Sequence, residues 1–382
     1  MATVEKHSVL IMFGGIAPEH EVSIISGLQI AEHLDKSKYI PQVLYVTKKG
    51  EFHFIGELGS KKDFLKKRRE NATFGRDEKG GYIQLSGIFG QKIYPIAAFL
   101  AFHGGLGEGG ALQGLLESVG IPFTSSGVEG SVLTMNKQLT KQLVKEAGIA
   151  TVPGICVDTF SLREKYAQTA KESIALLGLP LIIKPAHLGS SIGISVAHNE
   201  GDLKRMLLEA SYLDSELVIE TFIPKYVEYN CSVRMQNGVL ETSEIERPMG
   251  KDEILSFEDK YKKGAKKTGG SGMASLTREL PAKISDQLKT TIQNFAKKAY
   301  VACRCKGLVR IDFMAAEDGN LYLTEINPIP GSLAFYLWEA TGIQFKQQIT
   351  DAIEQSIKDA ATKRSYEIDY TTDIVEKFIK GS

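Results

Sequence analysis

Apolar and polar positions change rhythm several times along the chain. Residues 7–13 (HSVLIMF) are almost all apolar, the pattern of a strand buried on both faces. Gly14 and Gly15 end it, and residues 19–34 then repeat at the helical period. Residues 93–102 read as a second apolar strand, followed by a glycine-rich turn and the helical ALQGLLESVG. Residues 135–148 (MNKQLTKQLVKEAG) read as one amphipathic helix closed by Gly148. Residues 217–228 read as a strand and turn, and Asn237-Gly238 as a hairpin turn. Residues 284–303 and 344–363 return to the helical period. A strand, a glycine turn and a helix at the start predict a doubly wound α/β unit, whose ligands bind at the carboxyl ends of strands.

The alternation is sharpest over residues 307–331 (GLVRIDFMAAEDGNLYLTEINPIPG), which predicts a β-hairpin. Asp318-Gly319 suits a two-residue type I′ turn. Counting outward from it sets Asp312 opposite Glu325 and Arg310 opposite Asn327, all on one face, with Val309, Ile311 and Phe313 on the other. Two carboxylates and an amide oxygen are a hard-oxygen set suited to Mg²⁺; a plain cross-strand ion pair is the competing reading. The rigid Asn327-Pro-Ile-Pro-Gly331 exit, which can hold backbone N–H groups for an anion, favours the metal site.

Composition narrows the class. The chain has 382 residues, 43% hydrophobic and 24% charged, which suits two or three globular domains. Net charge is zero, so bulk attraction to nucleic acid is not indicated. No apolar run has spanning length and the first residues carry no signal-peptide pattern, so no membrane role is expected. Cys156, Cys231, Cys303 and Cys305 are too few and scattered for a disulfide framework, which predicts a cytoplasmic protein with packing thiols.

Four further stretches carry candidate chemistry. Glu19, after the first strand, could meet a ligand's ammonium group or simply favour its helix N-terminus. Gly105, Gly107 and Gly110 formally match GxGxxG, but the match lies late in its unit and Glu129 is a poor acidic partner, so a dinucleotide site is disfavoured. His103, at a strand's carboxyl end, is better placed for substrate than for packing. Residues 179–193 deliver Lys184 and then the small-residue turn GSSIG. That favours a phosphate cradle over an ordinary glycine hairpin, although no P-loop pattern is present. Glu220 and Glu228 bracket a strand end where an adenine amine and ribose hydroxyls could bind. Residues 252–271, with Lys260 and Tyr261 at their centre, read as a long mobile loop.

Taken together, FGGIAPEHEVS, HGGLGEGGALQGLLE, MNKQLTK, IIKPAHLGSSIGIS, VIETFI, FEDKYKKG and GLVRIDF…YLTEINPIPG resemble the D-alanine–D-alanine ligases of the ATP-grasp superfamily, from about residue 8 to 355. The resemblance implies an ATP-grasp fold of α/β (α+β) class in three domains. These are a Rossmann-like unit over residues 1–125, a central unit over 126–225 and a C-terminal unit over 226–382 with a mobile loop at 252–280. It implies that two D-alanines are joined through an acyl phosphate for peptidoglycan precursors, with ATP and two Mg²⁺ ions (or Mn²⁺), by a cytoplasmic homodimer. Asp312, Glu325 and Asn327 would hold the metal. Lys137, Lys184, Ser191 and Lys260 would contact the phosphates, and Glu220, Ile223 and Glu228 adenosine. Glu19 would grip the first ammonium and His103 line its subsite. Arg310 and the Gly331 amide would stabilise the oxyanion, and Ser190 and Tyr261 would close the loop with Glu19.

The chain departs from the family pattern in several places. Pro328 follows the metal-binding Asn where Thr is usual, and Gly109 replaces an acid. The loop after Tyr261 is longer than usual. The segment after Gly331 is shortened and apolar (SLAFY), where relatives offer hydroxyls to the second substrate's carboxylate. A ligase of the same chemistry with another amine acceptor is therefore the close alternative. Tyr261 argues for an amine acceptor over a hydroxyl one. A nicotinamide dehydrogenase and a non-catalytic nucleotide-binding protein are the remaining alternatives.

Overall fold

A computed structural model describes residues 6–87, 90–249, 278–364 and 372–380. Three sheets organise the chain. The first is built from β1 (His7–Gly14), β2 (Tyr39–Val46), β3 (Phe52–Gly56), β4 (Glu70–Asp77), β5 (Gly80–Leu85), β6 (Lys92–Ile93) and β7 (Ala97–Leu100). Its order is β6-β5-β4-β3-β2-β1-β7, and β1 pairs in parallel with both β2 and β7. Val9 to Phe13 have no exposed surface, as a two-faced strand requires. Helix α1 (His20–His33) follows β1, and α2 (Gly105–Glu108) and α3 (Ala111–Val119) follow β7. The apolar stretch at residues 93–102 is thus two short strands, because Pro95 has no N–H to give a ladder.

The second sheet, β10-β9-β11-β8, is antiparallel. Helices α4 (Val128–Met135) and α5 (Lys137–Glu146) lead to β8 (Gly154–Asp158), α6 (Thr159–Leu177), β9 (Leu181–Pro185), β10 (Ser195–Ala197), α7 (Glu200–Ala210) and β11 (Glu216–Thr221). The single helix expected over residues 135–148 is broken at Asn136. Its side chain accepts from the N–H groups of Gln138 and Leu139, capping α5 and ending α4.

The third sheet runs β14-β13-β12-β15-β16. It comprises β12 (Tyr226–Gln236), β13 (Val239–Pro248), β14 (Arg278–Glu279), β15 (Leu308–Ala316) and β16 (Leu321–Asn327), with α8 (Asp286–Ala302) packed behind it. Asn237 and Gly238 have φ of 50° and 80°, the double left-handed turn expected there. Val309, Ile311 and Phe313 enter a core shared with Ile292, Ala296 and Tyr300 of α8, as does the buried Cys303. The chain then makes a tight turn into α9 (Phe335–Ala340), α10 (Phe345–Arg364) and α11 (Ile374–Lys380). Ile329, Leu333, Phe345, Ile349 and Ile353 do not join the third sheet's core. They complete the core of the first.

Candidate active site

The hairpin of β15 and β16 pairs Asp312 with Glu325 and Arg310 with Asn327, as expected, but by a different route. The tip is not a two-residue type I′ turn. Gly319 N–H donates to Ala316 O and Ala316 N–H to Asn320 O, closing a three-residue loop in which Gly319 alone is left-handed. That shifts the pairing by one near the tip, so Phe313 faces Leu323. A bulge at Thr324 then restores it, and the Thr324 hydroxyl donates to Asp312 O at 2.9 Å. On the polar face Arg310 grips Asp312 through two bonds of 2.7 Å, and the Asn327 amide donates to Asp312 at 3.0 Å. Both Arg310 and Asp312 are buried. Across the sheet, Glu325, Asp312, Asn230 and Glu246 lie in one row on four neighbouring strands. The donors expected for a metal, Asp312, Glu325 and Asn327, are two carboxylates and an amide. Among the described residues no cluster of three His, Cys, Asp or Glu side chains could hold a metal unaided. This set suits an ion that takes its other ligands from water and substrate phosphate.

Facing this row, across a cleft, is the second sheet. Its wall includes Lys184, Ser191, Glu220, Phe222 and Ile223, with Glu228 of β12, Arg310, Asp312 and Glu325 opposite. β9 and β11 bring Lys184 to 2.6 Å from Glu220. Lys141, which the sequence reading passed over, binds the other Glu220 oxygen and donates to Val152 O at 2.7 Å. It lies one helical turn beyond Lys137, a spacing that could have marked it. Burial pushes the Glu220 carboxyl up, but the Lys184 and Lys141 ammonium groups outweigh it and hold it at about 2. Lys137 is part-buried and donates to Leu188 O at 2.6 Å, and burial lowers its pKa. Ser190 and Ser191 both take left-handed backbone at the turn that leaves β9.

Beside the cleft lies a smaller pocket lined by Glu19, His103, Glu108, Ser190, Arg310, Glu325, Asn327 and Gly331. Glu19 occupies the N-cap position of α1 without capping it. Its carboxyl is buried, which raises its pKa, and it accepts from the Ser190 hydroxyl. The glycine-rich turn that mimics a dinucleotide fingerprint has a different task here. A Cβ on Gly104 would come within 2.5 Å of a Glu19 oxygen, and one on Gly105 within 2.2 Å of Ile16 O. Glu108, in the same turn, was also passed over. It accepts from Gly104 N–H at 2.7 Å and Ile329 N–H at 3.2 Å, and burial drives its carboxyl up to about 8. His103 is held neutral by burial, its pKa down at about 4. Lys260 and Tyr261 fall outside the described residues, as does most of the loop at 252–280.

After Gly331 the chain turns inward. Ser332, Leu333 and Ala334 all have left-handed φ of 49–56° and are buried. Tyr336 then donates to Glu246 at 2.9 Å, and its ring stacks 3.9 Å from the Arg278 guanidinium. Arg278 also pairs with Glu246 at 2.9 Å.

Comparison with known proteins agrees with this geometry. Residues 8–126 match the family model described as the D-ala D-ala ligase N-terminus, and residues 143–354 the D-ala D-ala ligase C-terminus. The D-alanine–D-alanine ligase of Thermosipho africanus is 32% identical over 95% of this chain and 97% of its own. That of a Thermoanaerobacter species is 34% identical over 93% and 98%. Among solved structures, the Coxiella burnetii D-alanine–D-alanine ligase superposes with a TM-score of 0.78 at 24% identity, covering 94% of this chain and 97% of its own. A D-Ala:D-Ser ligase of Enterococcus faecalis gives 0.76 at 24% identity, covering 92% and 100%; both likenesses speak to the fold alone. That fold is the ATP-grasp architecture expected from the motifs, and the nicotinamide-dehydrogenase and non-catalytic readings are not favoured. The chain belongs to the D-alanine–D-alanine ligase family.

Proposed function

We propose that this enzyme joins two D-alanines in an ATP-dependent reaction, through an acyl phosphate, to supply peptidoglycan precursors. The observation that carries the reading is the shared wall: Arg310 and Glu325 line both the cleft between the two antiparallel sheets and the smaller Glu19 pocket. A nucleotide in the first and an amino acid in the second would meet there. Each residue then has a part. Glu19, buried at the start of α1, takes the ammonium of the first D-alanine, with Ser190 orienting its carboxyl group. Lys184, Lys137 and Ser191 receive ATP phosphates, with Lys260. Ile223 and Glu228 hold adenosine. Glu220 is already satisfied by two lysines, which supports adenine contact through its neighbouring backbone as much as through its carboxylate. Asp312, Glu325 and Asn327 would hold Mg²⁺, two ions on family habit, whose chemistry is to neutralise the transferring phosphoryl group. Arg310 and the Gly331 amide then receive the oxyanion formed when the second amine attacks. Tyr261 would help close the site against water.

The second substrate is served differently from the first. The inward-turned, apolar Ser332–Ala334 segment supports a poor grip on a free carboxylate, so a high second KM is expected. Should that KM prove ordinary, Arg278, stacked on Tyr336, is the donor proposed in the segment's place. We further propose a cytoplasmic homodimer; among the described residues no helix is long and apolar enough to cross a membrane. The chain would divide near residues 125 and 225, with residues 329–353 rejoining the first unit. The deciding assay is phosphate release with ATP, Mg²⁺ and a panel of D- and L-amino acids, with products identified by mass. D-alanyl-D-alanine as the main product supports the reading, and its absence from a folded, ATP-binding protein overturns it.

A further inference from the structure

The exit from β16 raises a problem in hydrogen bonding. Between Asn327 and Phe335 the chain runs Pro-Ile-Pro-Gly-Ser-Leu-Ala, largely buried, with no sheet to satisfy its polar groups. Pro328 and Pro330 have no N–H to satisfy, but Ile329 has both a donor and an acceptor. Both are taken by side chains from the first unit. Ile329 N–H donates to Glu108 Oε1 at 3.2 Å, and Ile329 O receives His103 Nδ1 at 3.0 Å. Three residues on, Ser332 N–H donates to Ser26 Oγ at 3.2 Å, and Ser26 lies 2.8 Å from His103 Nε2.

With the His103 ring held neutral by burial, the donors and acceptors allow one assignment. A carbonyl can only accept, so His103 Nδ1 carries the proton. Nε2 then accepts, and the Ser26 hydroxyl donates to it while its oxygen takes Ser332 N–H. Every ring nitrogen of His103 is spent, and the ring is neutral. His103 therefore has no polar atom left for a substrate, although its ring lines the pocket. The other Glu108 oxygen is held by Gly104 N–H, in the turn that packs on Glu19. Ser26 sits on α1, the helix that begins beside Glu19.

We infer that His103 and Glu108 are positioning residues: with Ser26 they clamp Ile329 and Ser332 and so set the Gly331 amide in the pocket. The inference rests on the ligase reading for its kinetic consequence, and on the hydrogen bonds alone for its structural one. A donor displaced by about 1 Å costs about a hundredfold in rate. The His103 arm of the clamp acts on the oxyanion donor, so in His103→Leu turnover should fall while binding of the first D-alanine holds; Glu108 also holds the Gly104 turn against Glu19.

The test compares His103→Leu with His103→Asn, whose amide nitrogen can take the Nδ1 place and donate to Ile329 O, and with Glu108→Leu. Hydrogen–deuterium exchange of the peptide covering residues 327–336 is read on each folded protein without substrate. Exchange there should quicken at least tenfold in both leucine variants, and His103→Asn should stay near wild type. In two-substrate kinetics His103→Leu should lose about a hundredfold in kcat, with the first KM within about threefold, and His103→Asn should recover most of it. Unchanged exchange in the leucine variants overturns the clamp. So does a His103→Leu variant whose loss lies in the first KM, or an asparagine variant as impaired as leucine. If His103→Leu does not fold, the asparagine variant and Glu108→Leu still decide between these outcomes. A wild type that makes no dipeptide fails the ligase reading, while the exchange result still judges the clamp.

Discussion

The strand β1 of the first sheet and the strand β15 of the third are about equally buried, yet only one carries chemistry. Val9 to Phe13 have no exposed surface, and Arg310 and Asp312 are only 8% and 6% exposed. The difference lies in what covers them. β1 is apolar on both faces, so no position along it can hold a charge without an unpaired, desolvated group. Its unit therefore carries its candidate functional groups in the loops at the strand ends: Glu19 after β1, and His103 and Glu108 after β7. β15 has one apolar face and one face turned to a cleft. There, charges can be buried because they are paired: Arg310 with Asp312, and Arg278 with Glu246. Loop-borne groups depend on close backbone approach, and strand-borne groups depend on register.

The largest expected effect breaks the strand-borne half of this contrast. Glu325→Gln keeps the shape but removes a metal-facing charge, and turnover should fall by about a thousandfold or more. Thermal unfolding should hardly move. A folded Glu325→Gln enzyme with near wild-type ligation would remove Glu325 from the site.

Next, Ile11→Ala and Ile311→Ala test the two cores side by side. Each empties a fully buried position and should cost about 2–5 kcal/mol of unfolding free energy. Their kinetics should differ. Ile311 stands between Arg310 and Asp312, so its loss should also lower turnover, whereas Ile11→Ala should leave turnover within about twofold at a temperature where it is folded. Equal kinetic losses would mean that register is not what the third sheet supplies.

At the edge of the same sheet, Arg278→Ala should raise the second D-alanine KM about tenfold and spare the first, as the loss of one charge-assisted hydrogen bond implies. Two-site kinetics read this directly, and an unmoved second KM assigns the carboxylate to other donors.

The smallest effect concerns pH. Glu220 is held at about 2, below its ordinary 4.5, by two lysines. A lowered carboxyl contributes stability that is present above its unfolded value and lost as pH falls through its folded one. Stability should therefore decline from about pH 4.5 towards pH 2, and Glu220→Gln should flatten that part of the profile in acid-unfolding curves.

Much of the third sheet was legible beforehand because alternation states which face each residue takes. Asp312 was set opposite Glu325 correctly, although the assumed turn was wrong. The three-residue tip moved the pairing by one and the Thr324 bulge moved it back, and neither shift is visible in the period. The break at Asn136 was hidden for a related reason, since apolar spacing runs on through it while the side chain caps. Glu108 went unread because a glycine-rich turn gives no periodicity from which burial can be inferred. The hydrogen bond from His103 to the Ile329 carbonyl was illegible because the two lie more than two hundred residues apart. Lys260, Tyr261 and most of the loop around them remain expectations of the sequence.

The return of Phe345, Ile349 and Ile353 to the first core has a consequence for synthesis on the ribosome. Strands β1 to β7 emerge early, but the apolar surface they present is not covered until α10 has been made. The first unit must wait, part-finished, for nearly the whole chain, while the second sheet's core draws only on residues between Ile155 and Ile219 and can close sooner. Truncation just before Phe345 should therefore expose the N-terminal sheet first, and limited proteolysis of such a fragment should cut within residues 7–100 before it cuts the second sheet.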